Sequence, residues 1–129
     1  MKATHEDATL LVQLAHLAAL RGIDAIDWLH SERFDPDYAT FVASNPPGSE
    51  GYRTAVRIAA HYELIGSLWK HGLLNEELLF DTYAVTLVWR RLKGFVLGSR
   101  EQFGEPRLGE NFEALAEAER TASAATPNA

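Results

Sequence analysis

Apolar residues recur along this chain at steps of three and four, and no stretch alternates well enough to form a strand, so the pattern predicts helices throughout. Leu10, Leu11, Leu14, Leu17 and Ala18 form one stripe over about residues 5 to 21. Thr4 with Asp7 makes a capping pair at its start, and Gly22 ends or bends it. A short helix near Asp24 to His30 offers Ile26 and Leu29 to a core. Asp35 as N-cap and Pro36 as first helical residue open a third helix that carries Tyr38, Phe41 and Val42. Asn45-Pro46-Pro47-Gly48 then breaks the chain.

The stripe Ala55, Ile58, Tyr62, Ile65 and Trp69 predicts a long helix from about Ser49, its N-cap, to His71. Gly66 inside it costs about 1 kcal/mol against alanine, which points to close approach by another helix. Gly72 stands where a C′ glycine belongs. Asn75 caps the next helix, Glu76 and Glu77 occupy its first turn, and Leu74 and Leu79 form a hydrophobic staple. Helical pattern continues to about Phe103, with a break near Thr82 to Ala84; Val85, Val88, Trp89, Leu92, Phe95 and Val96 make its stripe. After a loop from Gly104 to Gly109, a last helix runs from Glu110 to Arg120 with Phe112, Leu115 and Ala116 on one side. The expected fold is all-α: an antiparallel bundle of two long and three or four shorter helices in one domain, residues 1–120. Residues 121–129 are small and polar, and are expected to be a disordered tail.

Charge and composition narrow the functions. A net charge of −6 disfavours a general nucleic-acid binder. With no cysteine there is neither disulfide nor thiolate metal site, and a reducing cytoplasm fits. Leu10 to Leu20 is too short for a membrane span and contains Gln13 and His16, while His5, Glu6 and Asp7 before it are wrong for a signal peptide. No membrane association is expected. No Glu-x-x-His pair occurs, and His5, His16, His30, His61 and His71 are never three or four apart, so neither a metal nor any other cofactor is expected. These histidines read as surface or helix-end residues. Phosphate-binding glycine loops are absent, and Ser49 lacks the strand and spacing of a nucleophile elbow.

Two constellations carry candidate chemistry. Glu63 stands in mid-helix beside the stripe position Tyr62, with Asp81, Trp89 and Arg100 on the following elements. A buried carboxylate there would be an acid or base candidate. The alternative is a structural carboxylate, with Arg100 as its partner. Arg90, Arg91, Lys93 and Arg100 form an acid-free basic run. It would be an anion or nucleic-acid patch unless its charges meet Glu110, Glu113, Glu117 and Glu119 of the last helix.

Tyr62-Glu63-x-Ile65-Gly66-x-Leu68, Gly72-Leu73-Leu74-x-Glu76-x-Leu78, Asp81, Trp89, Leu92, Arg100 and Phe112-Glu113-x-Leu115-Ala116 together resemble a family of small, mostly helical bacterial proteins known as a domain of unknown function. The resemblance runs from about Asp24 to Glu119 and implies an all-α fold, but brings no activity or catalytic residue. Members of that family often begin with a membrane helix, a feature this sequence lacks.

The first functional expectation is a non-enzymatic cytoplasmic interaction module that self-associates or binds a protein partner. Its motive is the large apolar residues Trp28, Trp69, Phe80, Tyr83 and Leu97, more than one bundle interior needs. A small-molecule-binding bundle or enzyme with a pocket near Glu63, Asp81 and Arg100 is the alternative, and a nucleic-acid regulator using Arg90 to Arg100 comes third.

Overall fold

The computed structural model describes residues 2–22 and 26–125. Among them are seven helices and no strand: α1 (His5–Arg21), α2 (Ile26–Leu29), α3 (Tyr38–Ser44), α4 (Glu50–Lys70), α5 (Glu76–Thr82), α6 (Val85–Phe103) and α7 (Glu110–Ala125). The all-α expectation holds.

Most local punctuation follows the sequence. Thr4 and Asp7 form a reciprocal capping box, Ser49 caps α4 and Asn75 caps α5. At the end of α4, Gly72 (φ 74°) donates to the Trp69 carbonyl, and Leu73 donates to that of Leu68, closing a Schellman motif. The break expected near Thr82 to Ala84 separates α5 from α6.

Two local expectations change. The cap of α3 is Asp37 rather than Asp35. Asp37 Oδ2 accepts from the backbone N–H and hydroxyl of Thr40, whereas Asp35 Oδ1 accepts from the Asp37 N–H and forms the turn ahead of the helix. Helix α7 runs five residues past its expected end to Ala125; alanine is the strongest helix former, and Thr121 Oγ1 bonds back to the Glu117 carbonyl. The remainder of the expected tail, residues 126–129, lies outside the described residues, as does Asp24 at the expected start of the second helix.

Helices α4 and α7 share the most extensive interface, α7 packs next on α6, and α6 also meets α3 and α4. Gly66 is the reason α4 and α7 come so close: a Cβ there would lie 2.6 Å from the Asn111 carbonyl carbon. Gly94 and Gly98 on α6 likewise admit the Pro36 carbonyl and the Tyr38 ring at the start of α3. Helix α1 lies antiparallel over α4. Its start is tied to α5 through Asp7 Oδ1, which accepts the Asn75 N–H at 3.1 Å. Its end, Leu20 to Gly22, shares a cleft with Val56, Arg57 and Ala60 of α4.

Two aromatic groups fill the core. Trp28, Phe34, Phe41 and Phe95 meet edge to face or tilted beneath α3. Under α7, Tyr62 stacks on Phe112 and Trp89 meets the same ring edge-on. Of the residues expected to be left over, Trp28, Trp69, Phe80 and Tyr83 pack against this core, and Leu97 is over a third exposed. The apolar surplus is instead Val12, Leu20, Val56, Leu73, Leu87, Phe103 and Leu108.

Candidate functional site

Helix starts expose N–H groups that need an acceptor, and two of the helices whose starts are described begin without a local one. Before α7 stands Gly109, which has no side chain; before α6 stands Ala84, which makes no capping bond. Glu63, two turns from the end of α4, supplies the acceptor for α7. Its Oε1 takes the Asn111 and Phe112 N–H groups, both at 2.9 Å, and its Oε2 takes the Asn111 side-chain amide at 2.7 Å. Glu119, near the end of α7, does the same for α6, accepting the Val85 N–H at 3.1 Å and the Thr86 N–H at 2.7 Å. A carboxylate at a helix N-terminus also faces the positive end of the dipole. Asp7, by accepting the Asn75 N–H, ties α1 to the start of α5. The two bonds from Thr4, with a smaller one from Asn75, hold its carboxyl below the usual range.

The polar cluster therefore divides. Glu63, Trp89 and Arg100 converge on the first turn of α7 by separate contacts. Glu63 binds its N–H groups and Trp89 packs on Phe112. Arg100 donates to the Leu108 carbonyl at 2.6 Å and to Glu113 at 2.9 Å. Arg100 is thus the partner of Glu113; the helix start is the partner of Glu63. Asp81 is exposed on α5 and does not join them.

The basic run is split as well. Arg91 turns inward. Its guanidinium donates to the carbonyls of Leu29, Ser31 and Phe34 and lies 5.5 Å from the Phe34 ring centroid, fastening the α2–α3 segment to α6. Arg90 and Lys93 are exposed and share a cleft with Glu110, Glu113 and Glu117, so the surface there carries both signs. The fourth glutamate expected to meet them, Glu119, is occupied with the start of α6.

Four further described groups of chemical interest are His61, Tyr62, Ser99 and Glu105. His61 is 1% exposed, and neither ring nitrogen has a hydrogen-bond partner. The expectation of a surface or helix-end histidine fails for it. The signal was present: His61 lies three residues after Ile58 and four before Ile65, on the apolar stripe. Burial, with the Arg21 guanidinium nearby, holds its imidazole below the ordinary 6.5. The unfolded chain then binds the proton before the folded one. The histidine contribution to stability is complete above about pH 6.5 and declines as pH falls through the folded value. His61→Leu is expected to raise stability at neutral pH by about 1 kcal/mol, because two unpaired buried polar atoms are removed, and to flatten the loss below pH 6.5. Urea unfolding of both proteins from pH 7.5 to 5 checks this; equal slopes would refute it. The Tyr62 hydroxyl is pushed up to about 12, chiefly by burial, so it stays protonated.

The candidate site is a cavity whose lining includes Ser99 and Glu105. It measures about 430 Å³, lies between α4 and α6, and is closed at one end by the α6–α7 loop. Tyr52, Val56, Ala59 and Ala60 line it from α4, facing Phe95, Val96 and Phe103 of α6; Leu108 and Gly109 belong to the loop. Schellman bonding at Gly104, where the Glu105 N–H donates to the Arg100 carbonyl at 3.0 Å, sets the course of that loop. Polar groups are few. Ser99 Oγ is spent on the Phe95 carbonyl, Glu63 on α7, and Glu105 Oε1 accepts only the Arg107 N–H. Of the three cluster acids and cations, Glu63 reaches this wall, and Asp81 and Arg100 do not.

Among the described residues no group of three or more His, Asp or Glu side chains is arranged to hold a metal ion, and no helix is long and apolar enough to cross a membrane. No curated protein and no solved structure matches the chain. One family model does, over residues 3–119, a span that takes in the cap of α1, the cavity and all three carboxylates that tie helix starts together. The chain belongs to the family described as a domain of unknown function, DUF4760.

Proposed function

We propose that the protein is a cytoplasmic, non-enzymatic binding module that takes an apolar group of a protein partner into the cavity between α4 and α6. The observation that carries this reading is the pairing of a cavity of about 430 Å³ with an exposed apolar rim: Val56, Phe103 and Leu108 are 43%, 61% and 38% exposed around it. Recognition sites are concave and mostly apolar, and an exposed apolar rim is a feature of surfaces that become covered. The polar side chains within reach support binding over catalysis, since Glu63 is engaged with the start of α7, Ser99 with the Phe95 carbonyl of its own helix and Glu105 with the Arg107 N–H, and the lining contains no histidine, lysine or arginine.

An uncharged apolar fluorophore such as Nile red tests the cavity itself. Saturable one-to-one binding is expected, and Ala60→Trp, which fills the mouth from an exposed position, is expected to weaken it by about tenfold or more. Leu87→Trp, an exposed position on α6 outside the lining, serves as control. Equal binding by the protein and both variants would overturn the reading.

A further inference from the structure

The face that carries the cavity has a second feature at its other end. Leu20, in the last turn of α1, is 86% exposed, the most exposed large apolar side chain among the described residues. The cleft beside it is lined by Val56 and Ala60, which also line the cavity, so knob and socket are continuous on one face of the molecule. Their charges are opposed. Arg21 follows Leu20 and has no carboxylate partner among the described residues; Glu105 stands at the cavity wall and has no cationic partner among them.

We infer that a second copy of the chain occupies this face in a two-fold arrangement, with Leu20 of each protomer seated in the partner's cavity and Arg21 beside the partner's Glu105. This rests on the binding role of the cavity proposed above. A two-fold interface uses one patch twice, so a contact made by one protomer is returned by the other. A knob and a socket on the same patch satisfy that requirement, and so does one cation at the knob end with one anion at the socket end. Turning the patch over on itself aligns each apolar feature with its complement and each charge with its opposite. A heterologous partner needs no such self-complementarity. Surrounding Arg57 adds little to the pairing, being engaged with Glu50 at 3.6 Å.

Sedimentation equilibrium from micromolar to millimolar concentration reads the association directly. The protein is expected to be a dimer, and Leu20→Asp is expected to weaken it by about 100-fold, since a buried leucine is lost and a charge is placed in an apolar socket. The exposure of Leu20 leaves the monomer fold untouched, which unchanged circular dichroism and melting temperature verify. Arg21→Glu and Glu105→Arg are each expected to weaken the dimer by about tenfold, and the double variant to restore it, because the like-charge contacts become opposite again. A monomer at every concentration, or a dimer indifferent to Leu20→Asp, overturns the inference. If Nile red binding nevertheless remains sensitive to Ala60→Trp, the binding role stands and only the self-association falls; if that sensitivity is also missing, both fall.

Discussion

Glu63→Ala is expected to cost about 3 kcal/mol of stability, because it leaves two backbone N–H groups and a side-chain amide without the charged acceptor they face in a partly buried site. For a domain of this size that is a fall in melting temperature of about 10 to 15 °C. The origin is the start of α7. Gly109 precedes the helix with no side chain to cap it, so the whole duty falls on a residue from α4. Glu63→Gln separates the cap from mere packing. A glutamine keeps an oxygen for the Asn111 and Phe112 N–H groups but turns an NH₂ toward the Asn111 amide, so it is expected to cost about 1 kcal/mol. Equal losses for Ala and Gln in thermal unfolding would point to packing and refute the capping role. A catalytic or ligand-binding glutamate gives the other signature, with stability unchanged or raised and Nile red binding altered.

Gly66→Ala has two opposing parts, and their balance is the prediction. In a free helix the substitution favours folding by about 1 kcal/mol. Here the new methyl would fall against the Asn111 carbonyl, which is backbone and cannot rotate aside. Helices α4 and α7 must separate, at the most extensive interface of the molecule. A net loss of about 3 kcal/mol is expected, read by urea unfolding. Gain of stability would show that α7 can shift without penalty. Both substitutions act at Asn111, one through its N–H groups and one through its carbonyl. The double variant Glu63→Ala, Gly66→Ala is therefore expected to lose less than the sum of the two.

Much of the fold was legible because it is written in local chemistry. The apolar stripe of α4, the glycine at its end and the Asn75 cap of α5 depend on neighbours three to five residues away, and each stands where the pattern puts it. Gly66 pointed correctly to close helix approach, though not to which helix. What sequence order could not supply was the long-range partner. Glu63 suggested a structural carboxylate, yet its partner is a helix start 48 residues on instead of Arg100. A clue lay in what was missing: Ala84 and Gly109 precede helices without offering a capping side chain, so each start called for an acceptor from elsewhere. Charge counting misled at Arg91, since a guanidinium that satisfies three carbonyls is indistinguishable in sequence from one facing water. The cavity is set by the course of the α6–α7 loop over α4, which no periodicity encodes.

Two of the three carboxylates that reach across to other helices also bear on the order of events during synthesis. The first turn of α6 is held by Glu119, 34 residues later in the chain than Val85, and the first turn of α7 by Glu63, already made long before. While the ribosome is still adding α7, α6 has a start with no acceptor and α7 has an acceptor waiting for its start. The α7 start can close on Glu63 once its first turn is made, whereas the α6 start closes only when α7 has reached Glu119, so one late segment completes both. A nascent chain that stops short of Glu119 would leave the Val85 and Thr86 N–H groups without this acceptor while Arg91 and Arg100 already tie α6 to its neighbours, so the last closure of the bundle waits for this glutamate.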